Sequence, residues 1–243
     1  MKDKLLLVPR AAASLALLTL CSLLMLAIGL PTRFARRRLY TRWVMEPFSR
    51  LILRVWGLRL EVRHQAPFAS CQTVYVINHT SAIDGFAIVA AGLPNTRFFL
   101  SGYLRKFPPM AVIGYVTGIF WTVKQAYPER RVRIFQRACR ILRQTGESVC
   151  LSPEGTRVTT GDIGPFNKGA FHLAAALRAP MQPVFIQIPP AIHTGKGWYA
   201  KPGTIRVHIA APLDTSAWRS EDAAAIKDQV WEYYRRWKEQ LDD

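Results

Sequence analysis

Thr73-Val74-Tyr75-Val76-Ile77-Asn78-His79-Thr80-Ser81-Ala82-Ile83-Asp84-Gly85 is the stretch whose reading decides the fold. Its first five residues are β-branched or apolar and read as a buried strand, while Ser81 with Asp84 three positions on reads as a helix N-cap. His79 therefore falls in the turn between them. Five residues of regular helix rotate a side chain by roughly 140°, which would point His79 and Asp84 apart. With His79 outside the helix, Asp84 in the first turn can accept a hydrogen bond from one imidazole nitrogen, leaving the other basic and outward-facing. That is a base with its orienter, although a capping box beside a turn histidine uses the same residues.

A second loop carries polar chemistry of its own. Ser148-Val149-Cys150-Leu151 reads as another buried strand and runs into Ser152-Pro153-Glu154-Gly155-Thr156-Arg157, followed by Phe166-Asn167-Lys168-Gly169-Ala170-Phe171. A guanidinium such as Arg157 can hold phosphate oxygens bidentately, and a glycine lets backbone amides approach an anion closely. Residues 129–145 fit an amphipathic helix with Val132, Phe135, Cys139 and Leu142 inward, Arg130, Arg133, Arg137 and Arg140 outward, and Gly146 ending it. Residues 183–188 and 204–210 read as strands. A last helix starts at Ser220 and buries Ile226, Val230, Tyr234, Trp237 and Leu241. No internal repeat or low-complexity linker intervenes, so residues 58–243 are expected to form one α/β domain, a mostly parallel or mixed sheet flanked by helices.

The first 57 residues read as a membrane-anchoring region. Residues 11–30 run twenty positions without a charge, long enough at ~1.5 Å per residue to cross ~30 Å of hydrocarbon, or to enter one leaflet as a hairpin. Arg33, Arg36, Arg37, Arg38 and Arg42 follow it, against Lys2, Lys4 and Arg10 before it, which places the bulk of the chain on the cytoplasmic side of the membrane, the inner membrane if the source is bacterial. Residues 39–57 set Trp43, Met45, Phe48, Leu51, Ile52 and Trp56 among Arg42, Arg50 and Arg54, as in a helix lying at the interface. A formal charge of +17 calls for an anionic partner; anionic lipid suits the pattern, since no nucleic-acid-binding motif or alternating basic–aromatic platform is present. Cys21, Cys71, Cys139 and Cys150 lack paired CxxC spacing, so neither a metal site nor a disulfide framework is expected. Residues 107–123 are also uncharged, but Pro108, Pro109, Gly114 and Gly118 break the run. A buried strand or membrane-dipping segment is expected there.

Together the HxxxxD of His79 to Asp84, the PEGTR of residues 153–157, the KGAF of residues 168–171 and the strand start at Pro183-Val184 resemble the glycerolipid acyltransferase family, whose best-known members are the PlsC-like 1-acyl-sn-glycerol-3-phosphate acyltransferases. The resemblance covers roughly residues 73–188. It implies that His79 is the general base for an acceptor hydroxyl, that Asp84 orients it, and that Glu154, Gly155, Thr156 and Arg157 contact the substrate. It also implies direct transfer from acyl-CoA or acyl carrier protein (acyl-ACP) as co-substrate, with no other cofactor and no enzyme nucleophile, and the chain has no GxSxG elbow. The family's GxxFxxR appears here as Gly118-Ile119-Phe120-Trp121-Thr122-Val123-Lys124. Lys124 keeps the charge and loses the planar fork, while Lys168 is a further candidate phosphate contact. The expected activity is acylation of 1-acyl-sn-glycerol-3-phosphate to phosphatidic acid. Acylation of another lyso-lipid, or non-catalytic binding to membranes, are the alternatives.

Overall fold

In the computed structural model, which describes residues 6–34, 39–193, 197 and 199–242, strand β2 (Val74–Ile77) lies at the heart of a seven-stranded sheet. All four of its residues are buried, as in a central strand covered on both faces. The sheet order is β1 (Leu58–His64), β7 (Gly203–Ile209), β6 (Met181–Gln187), β2, β5 (Ser148–Leu151), β3 (Thr96–Ser101), β4 (Phe120–Thr122). Every neighbouring pair is parallel except β6–β7, so the sheet is mixed as expected. Because Val76 is in register with Leu151, the loops after β2 and β5 leave the same, carboxyl edge of the sheet side by side. In open α/β sheets that edge is where ligands bind.

One central strand carries a proline. Pro183 of β6 lies opposite Val76 of β2 and has no N–H to give the ladder. The hydroxyl of Tyr234, fully buried on the last helix α7 (Ala223–Asp242), donates to the Val76 carbonyl at 2.6 Å and accepts from the Val184 N–H at 3.0 Å. A side chain thus repairs the ladder that the proline interrupts. Ile226, Val230, Tyr234 and Trp237 of this helix are buried as its periodicity predicts.

The N-terminal helix α1 (Leu7–Gly29) is long and apolar enough to cross a membrane, with a mean hydropathy of 2.3 in its most apolar window. Only Cys21, Ser22, Met25 and Gly29 of it are buried, leaving Val8, Leu15, Leu20 and Leu23 outward. Its hydroxyls bond its own carbonyls, Ser14 to Arg10 and Thr19 to Leu15, so these side chains need no partner outside the helix. Of the charges that set the expected orientation, Lys2, Lys4, Arg36, Arg37 and Arg38 lie outside the described residues.

The segment expected at the interface is a π-helical turn (Tyr40–Met45) leading into α2 (Glu46–Val55). Met45 and Ile52 are buried and Phe48 and Trp56 half-buried, so much of its apolar face docks on the protein; Trp43 and Leu51 point outward. Trp56 Nε1 donates to Ser14 Oγ at 2.9 Å and ties α2 to α1.

Two local expectations change. The uncharged run at residues 107–123 is mainly a helix, α4 (Pro108–Thr117), and only Phe120–Thr122 is strand. The prolines occupy the first helical positions, where a missing N–H costs nothing, and Gly118 at φ 70° closes the helix in the left-handed conformation. The glycine at 114 does not break the helix: a Cβ there would come within 2.0 Å of the Trp121 ring, so its smallness admits the tryptophan of β4. In α5 (Pro128–Thr145) Val132 is 54% exposed and Ala138 is buried instead, because the helix meets the sheet only from Phe135, which stacks on Phe99 of β3, onward.

Candidate active site

At the carboxyl edge the chain leaves β2 through Asn78, whose side chain donates to the Ile186 carbonyl at 3.0 Å and accepts from the Ile186 N–H at 2.7 Å. This double bond to β6 fixes the direction of the next residue, His79. Helix α3 (Asp84–Ala90) begins two residues later than the Ser81 cap predicts. Ser81 Oγ instead accepts from the Ile83 N–H at 3.0 Å within the turn, and Asp84, the first helical residue, reaches back over that turn. Its Oδ2 accepts from Thr80 N at 2.7 Å, from Ser81 N at 2.8 Å and from His79 Nδ1 at 2.8 Å.

Asp84 is 1% exposed, while the His79 side chain is 32% exposed. A carboxylate can only accept, so His79 Nδ1 carries the proton and Nε2 presents a lone pair outward. Two backbone amides on the same oxygen hold the carboxylate rigidly; the imidazole therefore inherits a fixed orientation. The expected pair is brought together with the geometry of a general base and its positioning partner.

The loop after β5 is locked to this turn. Glu154 is 3% exposed, and its Oε2 accepts from the His79 N–H at 2.5 Å while Oε1 accepts from the Gly164 N–H at 2.9 Å. The Val158 N–H in turn donates to the His79 carbonyl at 2.8 Å. Burial pushes the Glu154 carboxyl up to about 7, against the opposing pull of those two amides. Glu154 was expected among the substrate contacts; both of its oxygens face inward and hold backbone, so it acts as a positioning residue beneath His79. Gly155, Thr156 and Arg157 are exposed, on the stretch between the two residues, Glu154 and Val158, that bond the His79 backbone. Gly155 takes φ +70°, and a Cβ there would meet Gln125 Nε2 at 3.0 Å and Asn167 Nδ2 at 3.2 Å. Lys124 and Lys168 are exposed; Lys124 lines a large groove running along β4 and α5, and Lys168 immediately precedes helix α6 (Gly169–Leu177).

Three contributors are not legible as site residues in the sequence. Asn167 Nδ2 donates to the carbonyls of Pro153 at 2.8 Å and Glu154 at 3.1 Å, and Gln125 Nε2 donates to the Glu154 carbonyl at 3.1 Å. Arg131, in the first turns of α5, places Nη2 3.5 Å from where a Gly155 Cβ would stand. Arg131 is half-buried as a residue, and its guanidinium has no acidic partner among the described residues. Asn167 precedes the KGAF stretch and could have drawn notice there; nothing local marks Gln125 or Arg131.

Comparison with known proteins agrees with this geometry. The family model described as Acyltransferase matches residues 59–187. The chain is 28% identical over 182 residues to 1-acyl-sn-glycerol-3-phosphate acyltransferase beta of Homo sapiens, covering 74% of this chain and 65% of that protein. It is 33% identical over 150 residues to 1-acyl-sn-glycerol-3-phosphate acyltransferase BAT2, chloroplastic, of Brassica napus, covering 60% and 42%. The chain thus spans less than two thirds of the length of these relatives. The crystal structure of the 1-acyl-sn-glycerophosphate (LPA) acyltransferase PlsC of Thermotoga maritima superposes with a TM-score of 0.70 over 96% of this chain and 98% of that one at 22% identity, a likeness of fold. With more than half of the residues inside the family model and the His79–Asp84 pair in place, the chain belongs to the Acyltransferase family.

Proposed function

We propose that this protein is a membrane-bound O-acyltransferase that moves an acyl chain from a thioester, acyl-CoA or acyl-ACP, to the free hydroxyl of 1-acyl-sn-glycerol-3-phosphate, giving phosphatidic acid for phospholipid biosynthesis. The observation that carries this reading is the His79 Nδ1–Asp84 Oδ2 bond of 2.8 Å beside the outward-facing residues Gly155 to Arg157. His79 Nε2 takes the proton of the acceptor hydroxyl as its oxygen attacks the thioester carbonyl. The new C–O bond forms, the C–S bond breaks, and the imidazolium returns the proton to the departing sulfur, which leaves as a free thiol. Asp84 holds the imidazolium while it exists.

The phosphate of the acceptor is assigned to Arg157, two residues along the loop from Gly155, and to Arg131, whose Nη2 lies 3.5 Å from where a Gly155 Cβ would stand. Arg131 restores the planar fork that lysine at position 124 lacks, which supports a phosphomonoester acceptor over a neutral or zwitterionic lyso-lipid. The names of the curated relatives support the same acceptor. The outward apolar face of α1 supports anchoring in a bilayer, with the site at the interface where lyso-lipid is found.

The test is thiol release from acyl-CoA and from acyl-ACP by detergent-purified protein, with lysophosphatidate, lysophosphatidylcholine, lysophosphatidylethanolamine or an amino-acid lyso-lipid as acceptor, beside a folded His79→Ala variant. Release that needs both lysophosphatidate and His79 supports the proposal. Release with another acceptor alone reassigns the substrate, and no release with any pair makes the protein a membrane-binding protein without catalysis.

A further inference from the structure

The large groove, about 1950 Å³, does not contain His79; it runs along the outer strands β3 and β4. A drug-sized ligand fills roughly 300–1,000 Å³, so this space suits an extended molecule with chemically distinct parts. Its two ends differ. Near α1 it is walled by Phe34, Leu39, Tyr115 and Ile119. At the other end stand Arg105 and Lys106, from the 3₁₀ turn after β3, Lys124 after β4, and Arg130 and Arg137 on α5. None of these five cations has an acidic partner among the described residues, and the groove's one carboxylate, Glu147, is spent on Arg97. Such a concave cluster of one sign focuses potential on an anion.

Two exposed rings stand among the cations. Lys106 Nζ lies 5.3 Å from the centre of Tyr103, and the Arg130 guanidinium lies 5.2 Å from the centre of Tyr127. Each cation lies over one face of its ring; rings and cations so grouped are what a nucleotide uses, the base stacking on an aromatic face and the phosphates pairing with the cations.

Placement connects this end to the chemistry. Tyr103 and Tyr127 follow β3 and β4 at the carboxyl edge, the edge from which His79 leaves β2, and the strand order between them is β2, β5, β3, β4. Three interstrand spacings of ~4.8 Å separate His79 from the far side of the groove, roughly 14 Å, a distance that an extended pantetheine arm covers.

We propose that the basic end of this groove is the binding site for the 3′-phosphorylated adenosine diphosphate of a coenzyme A thioester, with the pantetheine arm reaching along the sheet edge to His79. The assignment rests on the acyl-transfer reading and names its donor. An acidic carrier protein needs a broad, accessible face, whereas these cations and rings line a concavity, the shape for a small polyanion. A bilayer headgroup layer is likewise too flat to reach them together.

The test uses full-length protein in detergent and the double variant Arg130→Glu/Arg137→Glu, two exposed helix positions where the reversal leaves the core untouched. Calorimetry with free coenzyme A and with adenosine 3′,5′-bisphosphate is expected to show binding that the variant weakens about tenfold or more, the loss of two charge-assisted contacts at a partly solvated site. In thiol release, the ratio of kcat/KM for acyl-CoA to that for acyl-ACP is expected to fall by a similar factor. Unchanged nucleotide binding overturns the proposal, as does an equal loss with both donors, which assigns the face to a protein carrier. Loss of binding to phosphatidylglycerol vesicles with nucleotide binding intact also overturns it, in favour of a membrane-facing surface. If the native protein releases no thiol from either donor, the acyl-transfer reading falls, and calorimetry alone still decides whether a nucleotide binds here.

Discussion

Replacing Asp84 by Asn changes one charge while keeping the shape of the turn. Oδ2 accepts three hydrogen bonds, two from backbone amides, so the variant's amide oxygen must take that place; its NH₂ would otherwise face three donors. The tautomer of His79 is therefore preserved. What is lost is the attraction between the carboxylate and the imidazolium that forms as the acceptor proton is taken. With N and O 2.8 Å apart the charge centres lie about 4 Å apart, and at an effective dielectric of ~20 their attraction is about 4 kcal/mol. At ~1.4 kcal/mol per decade that is a fall in kcat of about 10³, reduced toward 10² because His79 is partly solvated. The KM for either substrate is expected to stay within about threefold, since neither the groove nor the Gly155–Arg157 loop is touched. Thiol release against acyl-CoA or acyl-ACP and lysophosphatidate, with circular dichroism to establish folding, measures this. A folded Asp84→Asn protein with kcat within about threefold of native would refute the base-and-orienter reasoning and leave Asp84 as a brace of the turn.

Other substitutions probe the supports of the site. Glu154 titrates near 7 in the folded protein, up from 4.5, so its contribution to stability is fully present below pH ~4.5 and is lost as pH rises through about 7. The span is worth about 3 kcal/mol, and Glu154→Gln is expected to flatten the fall in melting temperature between pH 5 and 8; parallel curves for the two proteins would contradict this. Arg131→Lys retains charge without the fork and is expected to raise the KM for lysophosphatidate about three- to thirtyfold with kcat little changed, as is Arg157→Ala; an unchanged KM removes either residue from phosphate binding. Tyr234→Phe leaves the Val76 carbonyl and the Val184 N–H unpaired in the middle of the sheet, at a cost of about 1–3 kcal/mol readable by thermal unfolding. Gly155→Ala must hold φ +70° and crowd Gln125 and Asn167, so a loss of activity exceeding the loss of stability is expected from paired kinetic and melting measurements.

What the sequence alone determined is what short-range chemistry dictates. The strands at Val74–Ile77 and Ser148–Leu151 are continuous apolar runs, and His79 and Asp84 lie five residues apart across a helix start, so their meeting is nearly a local matter. The α1 span and the outline of α5 and α7 follow from apolar length and period in the same way. The run at 107–123 misled because prolines and glycines read as breakers when, at the ends of a helix, they start and stop it.

Tertiary structure decided everything that depends on which strands are neighbours. Placing β5 beside β2 puts Glu154 under the His79 amide across seventy-five residues of chain, turning an expected ligand into a brace. It also brings Gln125 from the loop after β4 and Arg131 from the start of α5 to Gly155. Nothing in a helix pattern marks those two out, since the arginines of α5 look alike in sequence. Only the pairing of parallel strands, fixed by burial of both their faces, selects which of them meets the loop and which face the groove.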